Sequence, residues 1–207
     1  MFAALALAVV RGGWVTEGDA DVAAWVARAM PVWAEWVARP LTWIGGPLGV
    51  VPLTTAAAVL LARARRRLDA LFVAVSVAGI TVIVALLKSA FGRPRPDVGS
   101  AVALPESSSF PSGHAATAAV LFGALALLAC ERAPTPGAAR RRIAAGLLLA
   151  LAVAASRVVL DVHYVSDVVA GLAVGVFWLG SLTAARALLV SPPGPRPAGA
   201  APRLPVG

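Results

Sequence analysis

The chain holds two histidines and eighteen basic residues, of which only one is a lysine. All three rare residues fall in three short stretches: KSAFGRPRP at 88–96, PSGH at 111–114 and SRVVLDVHYVSD at 156–167. In the third stretch His163 and Asp167 are spaced i, i+4. On a helix they share a face, so the carboxylate can accept a hydrogen bond from one imidazole nitrogen. That fixes the tautomer and frees the other nitrogen as nucleophile or base. Arg157 and Asp161 repeat the spacing and are expected to form an ion pair. Arg157 and His163 are six apart, so the chain must turn between them if both are to meet one ligand. The text VVLDV contains neither Gly nor Pro to mark that turn.

In the second stretch Ser112 is a good N-cap and Gly113 permits close backbone approach. Unpaired N–H groups and the helix dipole make such an N-terminus an anion site, with His114 beside it. Taken alone, PSGH is also what an ordinary first turn with an interfacial histidine looks like. In the first stretch Lys88 at a helix end also fits a snorkelling lysine. Arg93 and Arg95 are flanked by Pro94 and Pro96, which fix φ and stiffen the segment.

Lys88, Arg95 and Arg157, with helix N–H groups, suit the equatorial oxygens of a phosphoryl group. Two histidines then allow in-line attack by one and protonation of the leaving oxygen by the other. The carboxylates near these stretches are Asp97, Glu106, Asp161 and Asp167, without metal-ligand spacing. A metal-free, cofactor-free mechanism is therefore expected.

The elements that must position these residues are membrane helices. Composition is 59% hydrophobic and only 14% charged, against about 25% charged in a soluble domain. Mean hydropathy is +0.84. Charge-free runs at 40–62, 70–87, 115–130, 143–156 and 168–185 read as five spans. Residues 1–10 are too short to cross a bilayer and read as the tail of a first span or an embedded stub. Five of the six tryptophans lie at 14–43, which reads as one or two interfacial helices broken at Pro31. Trp25, Ala29, Val32 and Trp36 would share one face of such a helix. Residues 191–207, rich in Pro, Gly and Ala, read as a disordered tail.

Net charge is +8. The arginines cluster at span ends, which argues for positive-inside loops at 63–67 and 140–142 and against nucleic-acid binding. The three chemical stretches then share the opposite, extracytoplasmic face. The lone Cys130 excludes an intramolecular disulfide. The bias toward Ala, Arg, Gly, Val and Pro is that of a GC-rich bacterial genome.

Together the stretches resemble the signature of the type 2 phosphatidic acid phosphatase (PAP2) superfamily: K-x6-RP, PSGH and SR-x5-H-x3-D. Lys88, Arg95 and Pro96 match the first, residues 111–114 the second, and Ser156, Arg157, His163 and Asp167 the third. The resemblance implies an all-α polytopic bundle with a six-helix core over residues 1–190, here with an abbreviated first helix. It implies that His163 forms a phosphohistidine, that Asp167 orients it, and that His114 is the general acid and later the base. Lys88, Arg95, Ser112, Gly113 and Arg157 correspond to the phosphate cradle. The implied activity is hydrolysis of a lipid phosphate: a polyprenyl diphosphate first, then phosphatidic acid or phosphatidylglycerol phosphate. A lipid phosphotransferase, or a non-catalytic binder of anionic lipid, are the alternatives.

Overall fold

The structure, a computed structural model, describes residues 2–96 and 106–190. Asp97 and the expected tail at 191–207 lie outside the described residues. Every regular element among the described residues is helical. They are α1 (Phe2–Arg11), α2 (Trp14–Ala29), α3 (Val32–Gly45), α4 (Pro47–Arg63), α5 (Arg67–Phe91), α6 (Gly113–Cys130), α7 (Pro136–Val159) and α8 (Val165–Val190).

Four of these, α5 to α8, are long and apolar enough to cross a membrane. The eighteen residues of α6 rise about 27 Å, close to the thickness of the hydrocarbon layer. The span expected at 40–62 is not one helix. It breaks at Gly46, where α3 and α4 meet at 51°. Pro47 has no N–H to continue the ladder of α3, and it disfavours helical backbone in the residue before it. Gly46 accordingly is extended, with φ −84° and ψ 173°.

The chain also breaks at Met30 and Pro31, as the proline predicts. That break interrupts the face expected to join Trp25, Ala29, Val32 and Trp36. Trp14, Trp25, Trp33, Trp36 and Trp43 all remain exposed. However, α2 is more than a surface helix: Val15, Asp19, Ala23 and Val26 are buried, and it packs on α7 and α8. The short α1 sets Phe2 and Ala6 against Phe91, Phe110 and Ala170, behind the 106–112 loop.

The bundle is built around α6, which is more than half buried, against a third for α5, α7 and α8. Small residues make this possible. A β-carbon at Gly171 would stand 2.4 Å from the Ser112 carbonyl oxygen, and one at Gly175 would stand 2.7 Å from that of Ala116. Such approach is how apolar helices associate where lipid removes the hydrophobic drive. Outward-facing Leu148, Val176 and Phe177 stay exposed, as a lipid-contacting surface requires.

The two ends of the bundle differ. At one end Arg186 joins Asp69 (2.7 Å) and Glu131, and Arg66 joins Asp69 (2.6 Å). At the other, α5 ends near Lys88, where Gly92 takes a left-handed φ of 59° and returns its N–H to the Lys88 carbonyl. The starts of α6 and α8 and the end of α7 lie there too, so all three chemical stretches meet.

Candidate active site

Residues 156–167 make the turn that the sequence left unmarked. The last turn of α7 closes with Leu160 N–H on Ser156 O and Val162 N–H on Arg157 O. Asp161 then adopts a left-handed φ of 54°. Aspartate is one of the few residues other than glycine that visits this region routinely. The expected Arg157–Asp161 pair is not formed among the described residues. Arg157 instead donates to the Thr42 hydroxyl on α3. Asp161 Oδ2 is buried without a partner, and burial raises the pKa of its carboxyl.

Helix α8 begins immediately after this turn. Asp167, in its first turn, reaches back to accept the Tyr164 N–H at 2.9 Å, the carboxylate half of a capping box. The same carboxylate accepts Arg93 Nη1 at 2.6 Å and the Ser109 hydroxyl. Its backbone carbonyl accepts the Ser112 N–H at 2.9 Å, tying PSGH to α8. Ser112 does stand at the N-cap of α6, but its hydroxyl makes no capping bond. That Oγ is fully buried and unpartnered.

His163 is 3% exposed, with its ring between two charged groups. Nε2 lies 3.2 Å from Arg95 Nη1. Nδ1 lies 3.4 Å from Asp167 Oδ2, a long contact, and Nδ1 has no aligned hydrogen-bond partner. Burial pushes the imidazole pKa down to about 4, against the opposing pull of Asp167. The ring is therefore neutral at pH 7. Burial also lowers the pKa of the Arg95 guanidinium.

A cavity of about 280 Å³ joins the three stretches. Lys88, Arg95, Gly113, His114, Arg157 and His163 all line it. Ser112 and Asp167 are not among its lining residues and stand behind it. The cavity continues along apolar side chains of α4 and α5: Val50, Val51, Val77 and Val84. Two of its cations donate to backbone carbonyls. Lys88 donates to Ser108 O, and Arg95 to Val162 O at 2.7 Å and Ser107 O at 3.2 Å. Among the described residues no group of three His, Cys, Asp or Glu side chains is placed to hold a metal ion.

Residues 69–189 match the family profile of the PAP2 superfamily. The chain belongs to that superfamily. In an alignment 108 residues long that covers 48% of this chain, it is 41% identical to a lipid A 1-phosphatase of Rhizobium johnstonii. The match covers 40% of that relative, and 42% of its counterpart in Rhizobium etli, so the chain spans less than half the length of these relatives. It is 27% identical over 179 residues to phosphatidylglycerophosphatase B of Bacillus subtilis, covering 85% of this chain and 87% of that one. Among solved structures, a transmembrane PAP2-type phosphatidylglycerolphosphate phosphatase from Bacillus subtilis superposes with a TM-score of 0.84 at 24% identity, over 91% of this chain and 93% of that one. LpxE of Aquifex aeolicus superposes with a TM-score of 0.64 at 21% identity, over 79% of this chain and 93% of that one. The fold is thus that of a multi-pass PAP2 membrane protein.

The PAP2 motifs do not contain every residue that builds this site. Thr42 accepts from Arg157, Ser109 donates to Asp167, and Asp19 on α2 accepts from both Arg93 and Ser166. Gly46 abuts His114: a β-carbon there would lie 3.0 Å from Nε2. Of these, only the Gly-Gly-Pro run at 45–47 carried a local signal. Asp19 reads like its neighbours Glu17 and Asp21 until the helix is docked. Arg93 braces Asp167 and is absent from the cavity lining.

Proposed function

We propose that this PAP2 protein is a membrane lipid phosphate phosphatase. The observation that carries the proposal is the cavity itself. Both imidazoles and three cationic side chains line one chamber, and that chamber runs on along an apolar wall between α4 and α5. A phosphate headgroup fits the charged end and an acyl or prenyl chain fits the other.

His163 is the nucleophile. Its Nε2 attacks phosphorus while the bond to the leaving oxygen breaks, and His114 gives that oxygen a proton. Lys88, Arg95 and Arg157 leave their carbonyl and hydroxyl partners for the equatorial phosphoryl oxygens. The N–H groups of Gly113 and His114, in the first turn of α6, have no intrahelical acceptor and add donors of fixed direction. Water then gives a proton to His114 and attacks the phosphohistidine. The N–P bond breaks, and phosphate and free His163 return.

The clusters Arg65–Arg67 and Arg140–Arg142 lie toward the opposite end of the bundle, and by the positive-inside rule this supports a reading with the cavity on the extracytoplasmic side of a bacterial inner membrane. The substrate classes are a polyprenyl diphosphate or monophosphate, phosphatidic acid, phosphatidylglycerol phosphate and, from the names of the Rhizobium relatives, a lipid A 1-phosphate.

The deciding experiment is phosphate release by the purified full chain in mixed micelles, across those lipids. Release from at least one, abolished by His163→Ala, is expected. Release from none, or release unaffected by His163→Ala, overturns the reading. Activity should survive EDTA, because Lys88, Arg95 and Arg157 already supply the positive charge that a divalent ion would bring and would repel one. Loss that only a divalent metal restores would refute that mechanism.

A further inference from the structure

Asp19 is buried, its side chain 4% exposed, on a helix outside all three motifs. A carboxylate taken from water costs several kcal/mol unless it is paired, so this site must be specifically built. Its Oδ2 accepts Arg93 Nη2 at 2.8 Å and the Ser166 hydroxyl. Its Oδ1 accepts the Ser166 N–H at 3.0 Å, one of the donors that the first turn of α8 leaves without an intrahelical acceptor.

Arg93 carries this anchor to the site. Nη1 reaches Asp167 Oδ1 at 2.6 Å and Ser166 Oγ at 2.8 Å. The guanidinium carbon sits 4.3 Å over the Tyr164 ring, and the Arg93 N–H donates to Ser108 Oγ at 2.9 Å. A planar fork held at both ends and on one face has no freedom to rotate. Asp167 Oδ1 is therefore fixed on Arg93, and Oδ2 is the oxygen left facing His163. The charges of Asp19, Arg93 and Asp167 sum to −1. Without Asp19 they would sum to zero, and Arg93 would draw wholly on the carboxylate that supports the nucleophile.

We propose that Asp19 is a positioning residue for the nucleophile: through Arg93 it sets the orientation and the effective charge of the Asp167 carboxylate, which makes α2 part of the catalytic apparatus. The inference rests on the phosphatase reading above.

The test compares the full-length wild type with Asp19→Asn, which keeps an acceptor for the Ser166 N–H and removes the charge. Expected is a kcat lower by about tenfold or more with KM within about twofold, since the lost support acts on the reacting ring and not on the bound anion. The double variant Asp19→Asn/Arg93→Gln should lose no more than the worse single one. With only two histidines in the chain, ¹⁵N-imidazole titration resolves His163 directly. The charged groups facing it are Asp167, Arg95 and Arg157, with His114 across the cavity. Only the support behind Asp167 changes in Asp19→Asn, so the midpoint should fall. A merely structural cap would lower the melting temperature but leave kcat per folded molecule and the imidazole titration where they were, and that result overturns the proposal. If the wild type releases no phosphate from any lipid, the functional reading fails. The titration then decides the clamp alone: a shifted midpoint upholds it and an unshifted one overturns it.

Discussion

Arg95 Nη1 stands 3.2 Å from His163 Nε2. A guanidinium can only donate, so Nε2 accepts and the ring proton sits on Nδ1, facing Asp167. The ring is thus in the tautomer that the proposed attack requires, with its lone pair covered by a cation. Under that proposal an incoming phosphoryl group has to draw Arg95 off the ring, and the same exchange gives the anion its first donor. Anion binding and uncovering of the proposed nucleophile would then be one event.

Replacing Asp167 by Asn should break this arrangement at the tautomer. An amide can turn its NH₂ toward Nδ1, which moves the ring proton to Nε2 and leaves no lone pair for phosphorus. The expected loss in kcat is about ten-thousandfold, comparable to other losses of an imidazole-orienting carboxylate. Because Asp167 also caps α8 and holds Arg93, the loss should be normalised to folded protein by far-ultraviolet circular dichroism. A variant that folds and keeps more than a tenth of wild-type kcat would contradict the assigned tautomer.

The proposed mechanism gives His114 two successive tasks, and a substrate with a good leaving group separates them. An aryl phosphate such as p-nitrophenyl phosphate needs no proton on departure. In His114→Ala the first step should therefore proceed and the second should stall, for want of a base to take the proton from water. Rapid mixing should give a burst of nitrophenolate, near one per active site, followed by slow turnover. Acid-labile label should remain on the protein when the phosphate is ³²P. A linear trace with no burst and no bound label would remove His114 from the second step.

The division between what the residues announced and what they hid is physical. Lys88, Arg95, His114, Arg157 and His163 stood out because a chain that is 14% charged retains polar groups in and beside its membrane helices only at a cost. The helices α5 to α8 stood out because spans must be long, apolar runs. The break at Gly46 was marked locally by Gly45-Gly46-Pro47, but hydropathy is blind to geometry and an uncharged text there reads as one span. The turn at Asp161 was hidden because its left-handed residue is not a glycine. Asp19 was hidden because its burial depends on docking α2 against α8, a tertiary event with no period in the sequence. Likewise the Ser112 hydroxyl was expected to cap α6, and local preference gave no sign that it would be left free.

Gly46 offers a test that separates geometry from backbone strain. Its backbone is extended and any residue can adopt it, so Gly46→Ala costs nothing conformationally. The new β-carbon, however, would lie 3.0 Å from His114 Nε2 and 3.5 Å from Thr42 O. The ring has to yield by a few tenths of an ångström. Misplacement on that scale is expected to cost about tenfold in turnover, short of the hundredfold that a full ångström brings. The stability cost should be at the low end of the roughly 1–3 kcal/mol typical of small-to-large changes. Unchanged turnover in a folded Gly46→Ala protein would mean that His114 does not work from the position it occupies here.

The buried neutral ring of His163 also predicts how stability follows pH. Its pKa is about 4 in the folded protein, against about 6.5 for a free imidazole. Between those values the unfolded chain binds the proton that the folded chain refuses. Stability is therefore unpenalised above pH 6.5, falls as pH drops through that value, and levels off below about 4. The shift corresponds to about 3 kcal/mol at most. Asp161 acts in the opposite sense: its raised pKa makes the protonated folded state more favourable as pH falls through the carboxyl range. His163→Gln keeps a polar side chain of similar reach but cannot titrate, so the difference between its melting curves and those of wild type isolates the imidazole. The melting temperature of His163→Gln minus that of wild type should become more positive from pH 7.5 to pH 5, because only the wild type loses this stability on acidification. If the two proteins keep a constant offset over this range, His163 is not buried as a neutral base.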